Sequence, residues 1–411
     1  MVSRVKSETP WKVPGKWTVS QHGFDPEVRA GWQLPERIVI HDVTLRDGEQ
    51  TPGVVFRKEE KLKIAHALEE AGIHRIEGGM AAVSAEDAEA IRAMAKEIKR
   101  AEIATFVRAR QDDIDLALKC NVHWIIMEVG ARDDLIKNIW GSREKAVEAI
   151  IKAVRYAKGN GLKVNFFLMD SATADLNLLR ELIVPTVEEG KVDSIAVVDT
   201  WGSIYPTAFA WLVAQVKKMV KVPIEIHCHN KWGLGTATTL AGITAGAEVM
   251  HACVNGMGAN ASLEECVLGA EAFLGVDTGI RTEKFRELST MVKEFSRADW
   301  YKPFVGSLTC QIEVGIATQW MWDKRHIPGM GRKDLLNYEI VGDKTYEVVL
   351  GKKSGKHSIM IKALEFNLPM PSDEQISEIL AKVKSLSEEH KRWLTDDEFK
   401  KIYSEVTGTS V

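Results

Sequence analysis

The chain has 411 residues, of which 45% are hydrophobic and 27% are charged, a composition typical of a folded globular protein that excludes general disorder. Lys and Arg together number 54 and Asp and Glu 58, which leaves a formal charge of −4. This balance argues against a nucleic-acid backbone as the main partner.

Residues 1–36 are predicted to form an extended arm, because prolines, glycines, charges and three tryptophans (Trp11, Trp17 and Trp32) occur there without a regular period. We expect these rings to pack on the chain's own domain or on a neighbouring subunit. No signal-like segment or apolar stretch of roughly 20 residues is found, so a cytoplasmic protein without a membrane span is expected. The five cysteines include no C-x-x-C pair, which fits free thiols.

Residues 37–285 alternate short apolar runs with longer segments of helical period. The predicted strands are Ile38–Val43, Arg75–Gly78, Ile103–Val107, Val122–Val129, Lys163–Leu168, Ser194–Val198, Ile224–His227 and Val249–Val254. The predicted helices include Lys58–Ala71, Ala85–Lys99, Ser142–Asn160, Asn177–Glu189, Pro206–Val220 and Gly235–Ala245. Eight such units indicate an α/β fold, a closed (β/α)8 TIM barrel. An open doubly wound sheet would require a G-x-G-x-x-G turn after the first strand, which this chain lacks.

Residues 286–411 are predicted to form a linker and a mostly helical C-terminal module. The segment 300–351 is irregular in pattern, whereas Asp373–His390 and Thr395–Val406 have the period of amphipathic helices. Two basic turns, GMGRKD (329–334) and GKKSGKHS (351–358), could hold the phosphates of a nucleotide or could be solvated loops. For the first turn a solvated loop is favoured, and for the second both interpretations stay open.

Chemistry-bearing side chains follow the first and seventh predicted strands. HDVTLRDGEQTPG (41–53) ends the first strand, and EIHCHN (225–230) ends the seventh, where His227 and His229 project from the same side. Alone, an H-x-H pair is more often one buried and one exposed histidine. Because the two strands lie close together around a barrel, Asp47 can complete a site for a divalent Mg, Mn, Fe or Zn ion. Arg46 beside it offers either a rim salt bridge or a fixed cation for a developing oxyanion.

These motifs resemble the isopropylmalate synthase, homocitrate synthase and hydroxymethylglutaryl-CoA lyase superfamily, the DRE-TIM metallolyases. The matching segments are HDVTLRDGEQTPG, IEGGMAAVSAEDAEAI (76–91), VVDTWG (197–202), HCHNKWGLG (227–235) and NGMGANASLEE (255–265). The C-terminal part is similar to the synthase branch through NYEIVG (337–342) and GKKSGKHS. Lyases usually have Leu where this chain has Glu49, which also favours the synthases.

The resemblance implies a divalent metal ion (Mg, Mn or Zn) and acetyl-CoA as cosubstrate. The implied metal ligands are Asp47, His227, His229 and Asn255. The implied catalytic residues are Arg46, Glu77, Asp170 and Tyr338, and the substrate contacts are Arg46, Gln50, Thr200, Trp201 and Trp232. It further implies a homodimer in which the C-terminal module reaches over the partner's active site.

The chain also departs from the family pattern at several positions. An E-D-x-x-R signature after strand five is replaced by LMDSATAD (168–175), in which Asp170 can stand in for the acid but no arginine follows. Ala317 occupies the place of an expected helper histidine, and the loop after strand eight is shortened and lacks its usual Glu. Trp201 and Trp232 stand where smaller residues are usual, so either they pack between rim loops or the oxo-acid pocket is reshaped.

The predicted activity is a Claisen-type condensation of an acyl-CoA, acetyl-CoA first, with a 2-oxo acid to give a 2-substituted malate-like product. The alternative is a retro-aldol or retro-Claisen lyase on the same metal site. A third interpretation, from another class, is a non-catalytic binding protein that kept the barrel. Because the chain ends soon after the terminal helices, end-product inhibition through an extra domain is not expected.

Overall fold

The computed structural model describes residues 9–13, 17–297, 311–326 and 347–409. Its main body is a closed barrel of eight parallel strands that follow one another in chain order, with the eighth pairing with the first. The strands are β1 (Val39–Asp42), β2 (Arg75–Glu77), β3 (Glu102–Arg108), β4 (Trp124–Gly130), β5 (Lys163–Met169), β6 (Ser194–Asp199), β7 (Ile224–Cys228) and β8 (Val249–Ala252). The predicted TIM barrel is confirmed, with strand bounds within three residues of those expected.

Helices surround the barrel and continue into the C-terminal part. They are α1 (Lys58–Ala71), α2 (Ala85–Glu97), α3 (Gln111–Cys120), α4 (Asp133–Trp140), α5 (Arg143–Gly159), α6 (Leu176–Pro185), α7 (Pro206–Met219), α8 (Gly235–Thr244), α9 (Leu263–Gly269), α10 (Phe285–Ser296), α11 (Gly315–Lys324), α12 (Lys356–Glu365), α13 (Asp373–His390) and α14 (Asp396–Thr407). Ser84 and Ser142 cap α2 and α5 by accepting hydrogen bonds from the backbone of the first turn. In the part of the chain described, every helix is too short or too polar to span a bilayer.

The inside of the barrel is divided into an apolar and a polar side. Strands β3 to β6 contribute the apolar side, a cluster of Ala104, Phe106, Ile126, Phe167, Ala196 and Val198. Strands β1, β2, β7 and β8 contribute most of the polar side, with the buried residues His41, Arg75, Glu77, Glu225, His227 and His251. Charged side chains are rarely buried unless they are paired. The polar side is therefore the part of the barrel interior that is not explained by core packing alone.

A second hydrophobic core lies in the C-terminal module. It is built by Leu350, Ile359, Ala363, Ile376, Ile379, Val383, Leu394, Phe399, Ile402 and Tyr403. Helix α10, which the sequence places in the C-terminal part, instead packs into the barrel core through Phe285, Leu288 and Val292. The segment 300–351, predicted as irregular, contains helix α11, and α12 was not predicted.

The basic turn 351–358 binds the barrel through buried ion pairs. Lys352 Nζ lies 3.2 Å from Glu49 Oε1 and 3.1 Å from Asp87 Oδ1, and Lys61 Nζ contacts the same two carboxylates at 2.7 and 2.8 Å. Burial opposes the charge, but the carboxylates of Glu49 and Asp87 raise the pKa of Lys352. Lys353 Nζ donates to the carbonyls of Thr51 and Val54 at 3.1 and 2.6 Å. The two lysines are therefore occupied by protein groups, which disfavours a phosphate site in this turn; the first basic turn lies outside the described residues.

Replacing Lys352 with Met should destabilise the protein by about 3 kcal/mol, because two buried carboxylates then share one cation, Lys61. Chemical denaturation of the full chain measures this free energy of unfolding. Lys356→Met, at an exposed position of the same turn, is the matched control and should change stability by no more than about 0.5 kcal/mol. Equal stability of the two variants would contradict the proposed contribution of the buried cluster.

Candidate functional site

The loop after β1 carries Asp47 to the carboxyl end of the barrel. The backbone N–H groups of Arg46, Asp47 and Gly48 all donate to the carbonyl of Val43, at 3.2, 2.9 and 3.0 Å, which closes a tight turn. At Gly48 a Cβ atom would lie only 2.7 Å from the Sγ of Cys253. A side chain at residue 48 would therefore have to displace the buried thiol of Cys253, and Asp47 beside it is held at the mouth with 4% of its surface exposed.

The two predicted histidines lie opposite Asp47. His227 is inside β7, and His229 follows the strand. The backbone N–H of His229 donates to the carbonyl of Asp199 at 3.1 Å. Their ring centroids are 5.0 Å apart. Nε2 of His227 lies 3.2 Å from Asp47 Oδ2, and Nε2 of His229 lies 3.8 Å from Asp47 Oδ1. The structure thus brings three of the four predicted ligands together.

This donor set fits a divalent ion. Metal–ligand bonds of about 2.0–2.2 Å place ligand atoms of one ion at separations of this kind. The 3.2 Å contact between His227 and Asp47 lacks hydrogen-bond geometry, and both ring nitrogens of His227 are buried without a hydrogen-bond partner. Burial lowers the pKa of His227 to about 4, so its imidazole is neutral at neutral pH. Burial opposes ionisation of Asp47, but Arg46 and the two histidines hold its pKa well below the usual range.

Arg46 lies beside this group with one donor unused. Its Nη1 is 3.1 Å from Asp47 Oδ2, its Nε donates to Glu77 Oε1, and its Cζ lies 4.0 Å from the centroid of the Phe106 ring. The third nitrogen, Nη2, is buried without a hydrogen-bond partner. Burying a guanidinium nitrogen without a hydrogen-bond partner costs free energy. Such an unpaired donor is typical of a group that binds a ligand.

Four of the other predicted site residues lie around or beneath this mouth. Asp170 N donates to Thr200 Oγ1 at 2.8 Å, and both carboxylate oxygens of Asp170 are buried without a hydrogen-bond partner. Burial raises the pKa of Asp170, although Arg132 at 3.7 Å opposes the shift. Gln50 ends the single helical turn that follows Asp47. Glu77 is fully buried beneath Arg46, so the structure gives it contacts with protein groups.

The remaining predicted residues lie at the rim or elsewhere. Trp201 is half-buried after β6, Trp232 is 51% exposed after β7, and Tyr338 lies outside the described residues. The structure does not bring Asn255 into the group of ligands, because both ends of its amide are bonded to Ser289 of α10. Its predicted metal contact is therefore not supported by this placement.

Sequence reasoning missed Asn260. It forms a β-bridge with His229, and a Cβ at Gly258 would lie 2.9 Å from Asn260 Nδ2 and 2.6 Å from Asp47 O. The backbone after β8 has positive φ at Asn255, Gly256, Gly258 and Ala259, so the loop turns back and delivers the later asparagine to the mouth. The second asparagine of NGMGAN was the available signal.

A second missed residue is Glu128, near the end of β4. It is partly buried on the same side of the strand as Ile126, which faces the barrel interior. Burial raises its pKa to about 7, with Arg46 opposing and the carboxylates of Asp170 and Asp47 adding to the shift. A carboxyl with this pKa can accept or donate a proton near neutral pH.

Comparison with known proteins gives one family and a set of curated relatives. The HMGL-like family model matches residues 37–292. A homocitrate synthase of Methanopyrus kandleri is 35% identical over 91% of this chain and 93% of its own length. A 2-isopropylmalate synthase and an (R)-citramalate synthase of Methanocaldococcus jannaschii are each 35% identical, over 91% and 90% of this chain and 73% and 75% of their own lengths.

Solved structures share the fold at lower identity. An HMG-CoA lyase of Bacillus subtilis superposes with a TM-score of 0.58 at 20% identity, covering 66% of this chain and 97% of the lyase. The carboxyl transferase domain of Rhizobium etli pyruvate carboxylase gives a TM-score of 0.54 at 15% identity, covering 93% of this chain and 78% of that domain. At these identities the likeness concerns the fold.

Proposed function

The chain belongs to the HMGL-like family, and on that premise we propose that it is a metal-dependent acyltransferase that condenses an acyl-CoA, with acetyl-CoA the first candidate, with a 2-oxo acid. The observation that carries the proposal is the group Asp47, His227 and His229 beside the unused Nη2 of Arg46. Relatives that align over about nine tenths of the chain bear the names of homocitrate, isopropylmalate and citramalate synthases. Their names support the synthase direction.

We assign Asp47, His227 and His229 to a divalent ion, with Asn260, whose backbone forms a β-bridge with His229, beside them. Such an ion, when bound, supplies Lewis-acid polarisation of a carbonyl group. Arg46 donates its Nη2–H to the oxyanion that develops on the ketone of the oxo acid, in a site with little access to water. The identity of the ion stays open among Mg, Mn and Zn.

In the condensation a proton leaves the methyl group of the acetyl thioester, and the resulting carbanion forms a carbon–carbon bond with the ketone carbon. Water then cleaves the thioester, releasing CoA and a carboxylate. We assign the proton transfers to Glu128 and Asp170, two carboxyls near the mouth whose pKa is raised by burial. Thr200, Gln50, Trp201 and Trp232 surround the mouth and are proposed to contact the oxo acid.

The lyase alternative would run carbon–carbon bond cleavage on the same residues. The lyase structures align with about two thirds of the chain, whereas the synthases align with the C-terminal part as well. In addition, Glu49, which separates the two branches, is bound here by Lys352 of the C-terminal module. These observations support the synthase. Assembly as a homodimer, with the C-terminal module over the partner's site, remains part of the proposal.

Release of CoA thiol should occur only when the protein receives acetyl-CoA, a divalent ion and a 2-oxo acid together. The test is a thiol assay with oxo acids bearing small, branched, acidic and aromatic side chains, each with Mg, Mn or Zn. Chelation with EDTA should stop the reaction, and re-addition of the ion should restore it. CoA release without an oxo acid would indicate a thioesterase, and cleavage of a 3-hydroxyacyl thioester without any condensation would indicate the lyase.

A further inference from the structure

A chain of buried polar side chains runs from the candidate metal site into the barrel. His41 on β1, Arg75 and Glu77 on β2, Glu225 on β7 and His251 on β8 each have at most 2% of their surface exposed. His41 lies level with Arg75 on one side and with His251 on the other in the strand register. Five polar groups in a barrel interior cost desolvation free energy, so their contacts require a physical account.

The contacts fix the tautomer of His41. Arg75 Nε donates to His41 Nδ1 at 2.9 Å, and because an arginine can only donate, this ring nitrogen must be the acceptor. The proton of the neutral ring then sits on Nε2, which lies 3.2 Å from Glu77 Oε2. Neither His41 Nε2 nor Glu77 Oε2 has a hydrogen-bond partner among the described residues, so the two atoms meet in a close polar contact outside hydrogen-bond geometry. His41 is thus a bridge that accepts from a cation and faces a carboxylate with its N–H.

The bridge continues to Arg46. The other oxygen of Glu77, Oε1, accepts from Arg46 Nε, and Arg46 Nη1 contacts Asp47. Burial opposes ionisation of Glu77, but Arg46 and His41 lower its pKa to about 2. Negative and positive side chains therefore alternate along the series Asp47, Arg46, Glu77, Arg75 and Glu225. The neutral ring of His41 lies between Glu77 and Arg75.

A second metal ion bound by His41, Glu225 and His251 is the competing explanation for these buried polar side chains. Ligand atoms of His41, Glu225 and His251 lie within 4.8 Å of one another. However, the guanidinium of Arg75 bonds both His41 and Glu225, so a dication there would stand next to a fixed positive charge. Arg75 supplies the cation that this cluster needs, and Glu225 also accepts from Ser194 and contacts His251 at 2.8 Å.

We propose that Arg75, His41 and Glu77 form a positioning chain that aims the unused Nη2 of Arg46 at the reacting carbonyl. Glu77 holds Arg46 through one oxygen, and His41 Nε2 faces the other oxygen at 3.2 Å while its Nδ1 is anchored by Arg75. This assignment of Arg46 to the carbonyl rests on the proposed function. The placement of Arg46 by His41 does not, because it is a property of the protein alone.

The test compares two histidines at equal burial. His41→Phe removes the ring's polar contacts with Arg75 and Glu77, whereas His251→Phe removes the polar contact with Glu225, and Glu225 keeps its bond to Arg75. Phenylalanine keeps an aromatic ring at each position, so the ring contact between residues 41 and 251 is retained in both variants. Crystal structures of both full-length variants should show the Arg46 guanidinium displaced by about 1 Å or more in His41→Phe and unmoved in His251→Phe. A displacement of about 1 Å at a positioned catalytic group can lower turnover roughly 100-fold.

Kinetics and metal content supply the second readout. In His41→Phe, kcat should fall about 100-fold, while KM for acetyl-CoA and the bound-metal content change less than about threefold, since no ligand is altered. His251→Phe should keep kcat within about threefold. Should His41→Phe fail to fold, His41→Asn serves instead, because its amide oxygen can still accept from Arg75 while it places no donor at Glu77.

Equal losses in the His41 and His251 variants, or an unmoved Arg46 in the His41 variants, would overturn the positioning chain and leave a purely structural network. Metal bound to His41, Glu225 and His251 in a crystal soaked with Zn or Mn would also overturn it. If wild-type protein releases no CoA with any oxo acid, the proposed function fails. The position of Arg46 in the crystal structures of the variants then still tests the positioning chain, independently of turnover.

Discussion

His229→Ala should abolish both metal retention and turnover. The imidazole of His229 faces Asp47 Oδ1 at 3.8 Å and is one of the three candidate ligands that the structure groups together, so its loss leaves two. Loss of outer partners of metal ligands alone commonly costs about 10- to 100-fold in affinity, and removal of a ligand should cost at least as much. Metal content after gel filtration, measured by elemental analysis, and CoA release in the thiol assay check the two parts separately.

The matched control for this prediction is His66→Ala. His66 lies on the outer helix α1 with 48% of its side chain exposed, and its polar contact is an exposed one with Glu97. The control should retain wild-type metal content and turnover. Full metal content and full activity in His229→Ala would remove this site from consideration as the catalytic centre.

Arg46→Lys should lower kcat by about 100- to 1,000-fold while metal content stays near that of the wild type. Lysine keeps a positive charge between Asp47 and Glu77 but lacks the planar guanidinium. In the wild type, Nε of Arg46 binds Glu77, Nη1 contacts Asp47, and Nη2 is left for a ligand. Steady-state kinetics with the best oxo acid, together with metal analysis, separate loss of oxyanion stabilisation from loss of the ion.

Arg110→Lys provides the comparison for a surface arginine, because Arg110 pairs with Asp112 and both side chains are more than half exposed. It should change kcat by less than about twofold, as expected for a solvent-screened pair. An Arg46→Lys variant within threefold of the wild-type kcat would show that the guanidinium does not stabilise the developing charge.

The fold followed from local patterns in the sequence. Parallel barrel strands are short and buried on both faces, and the helices that connect them carry an apolar stripe, so the alternation is visible in one dimension. Helix α13 was predicted at its observed bounds, Asp373–His390, since Ser372 caps it and a charged amphipathic pattern runs through it. The common location of Asp47, His227 and His229 was also predictable. Each lies at or just after the carboxyl end of a strand, and those ends meet at one mouth of the barrel.

Loops and the barrel interior were predicted less well. Asn255 directly follows the eighth strand region, yet four left-handed residues turn the loop so that Asn260 comes to the mouth. Backbone conformations of this kind are not encoded in a periodic pattern. Helix α11, with Trp320 and Met321, was hidden because its apolar residues surround it without forming a clear stripe.

The sequence by itself determined the barrel, the motif pair that brings one aspartate and two histidines together, and the family, because each depends on residues near in the chain or on strand order. Only the tertiary structure decided which buried partners those residues have. His41 lies between Arg75 and Glu77, and Lys352 reaches Glu49 across 303 positions of the chain. Such contacts arise from how separate strands and modules pack, and no local pattern of residues specifies them.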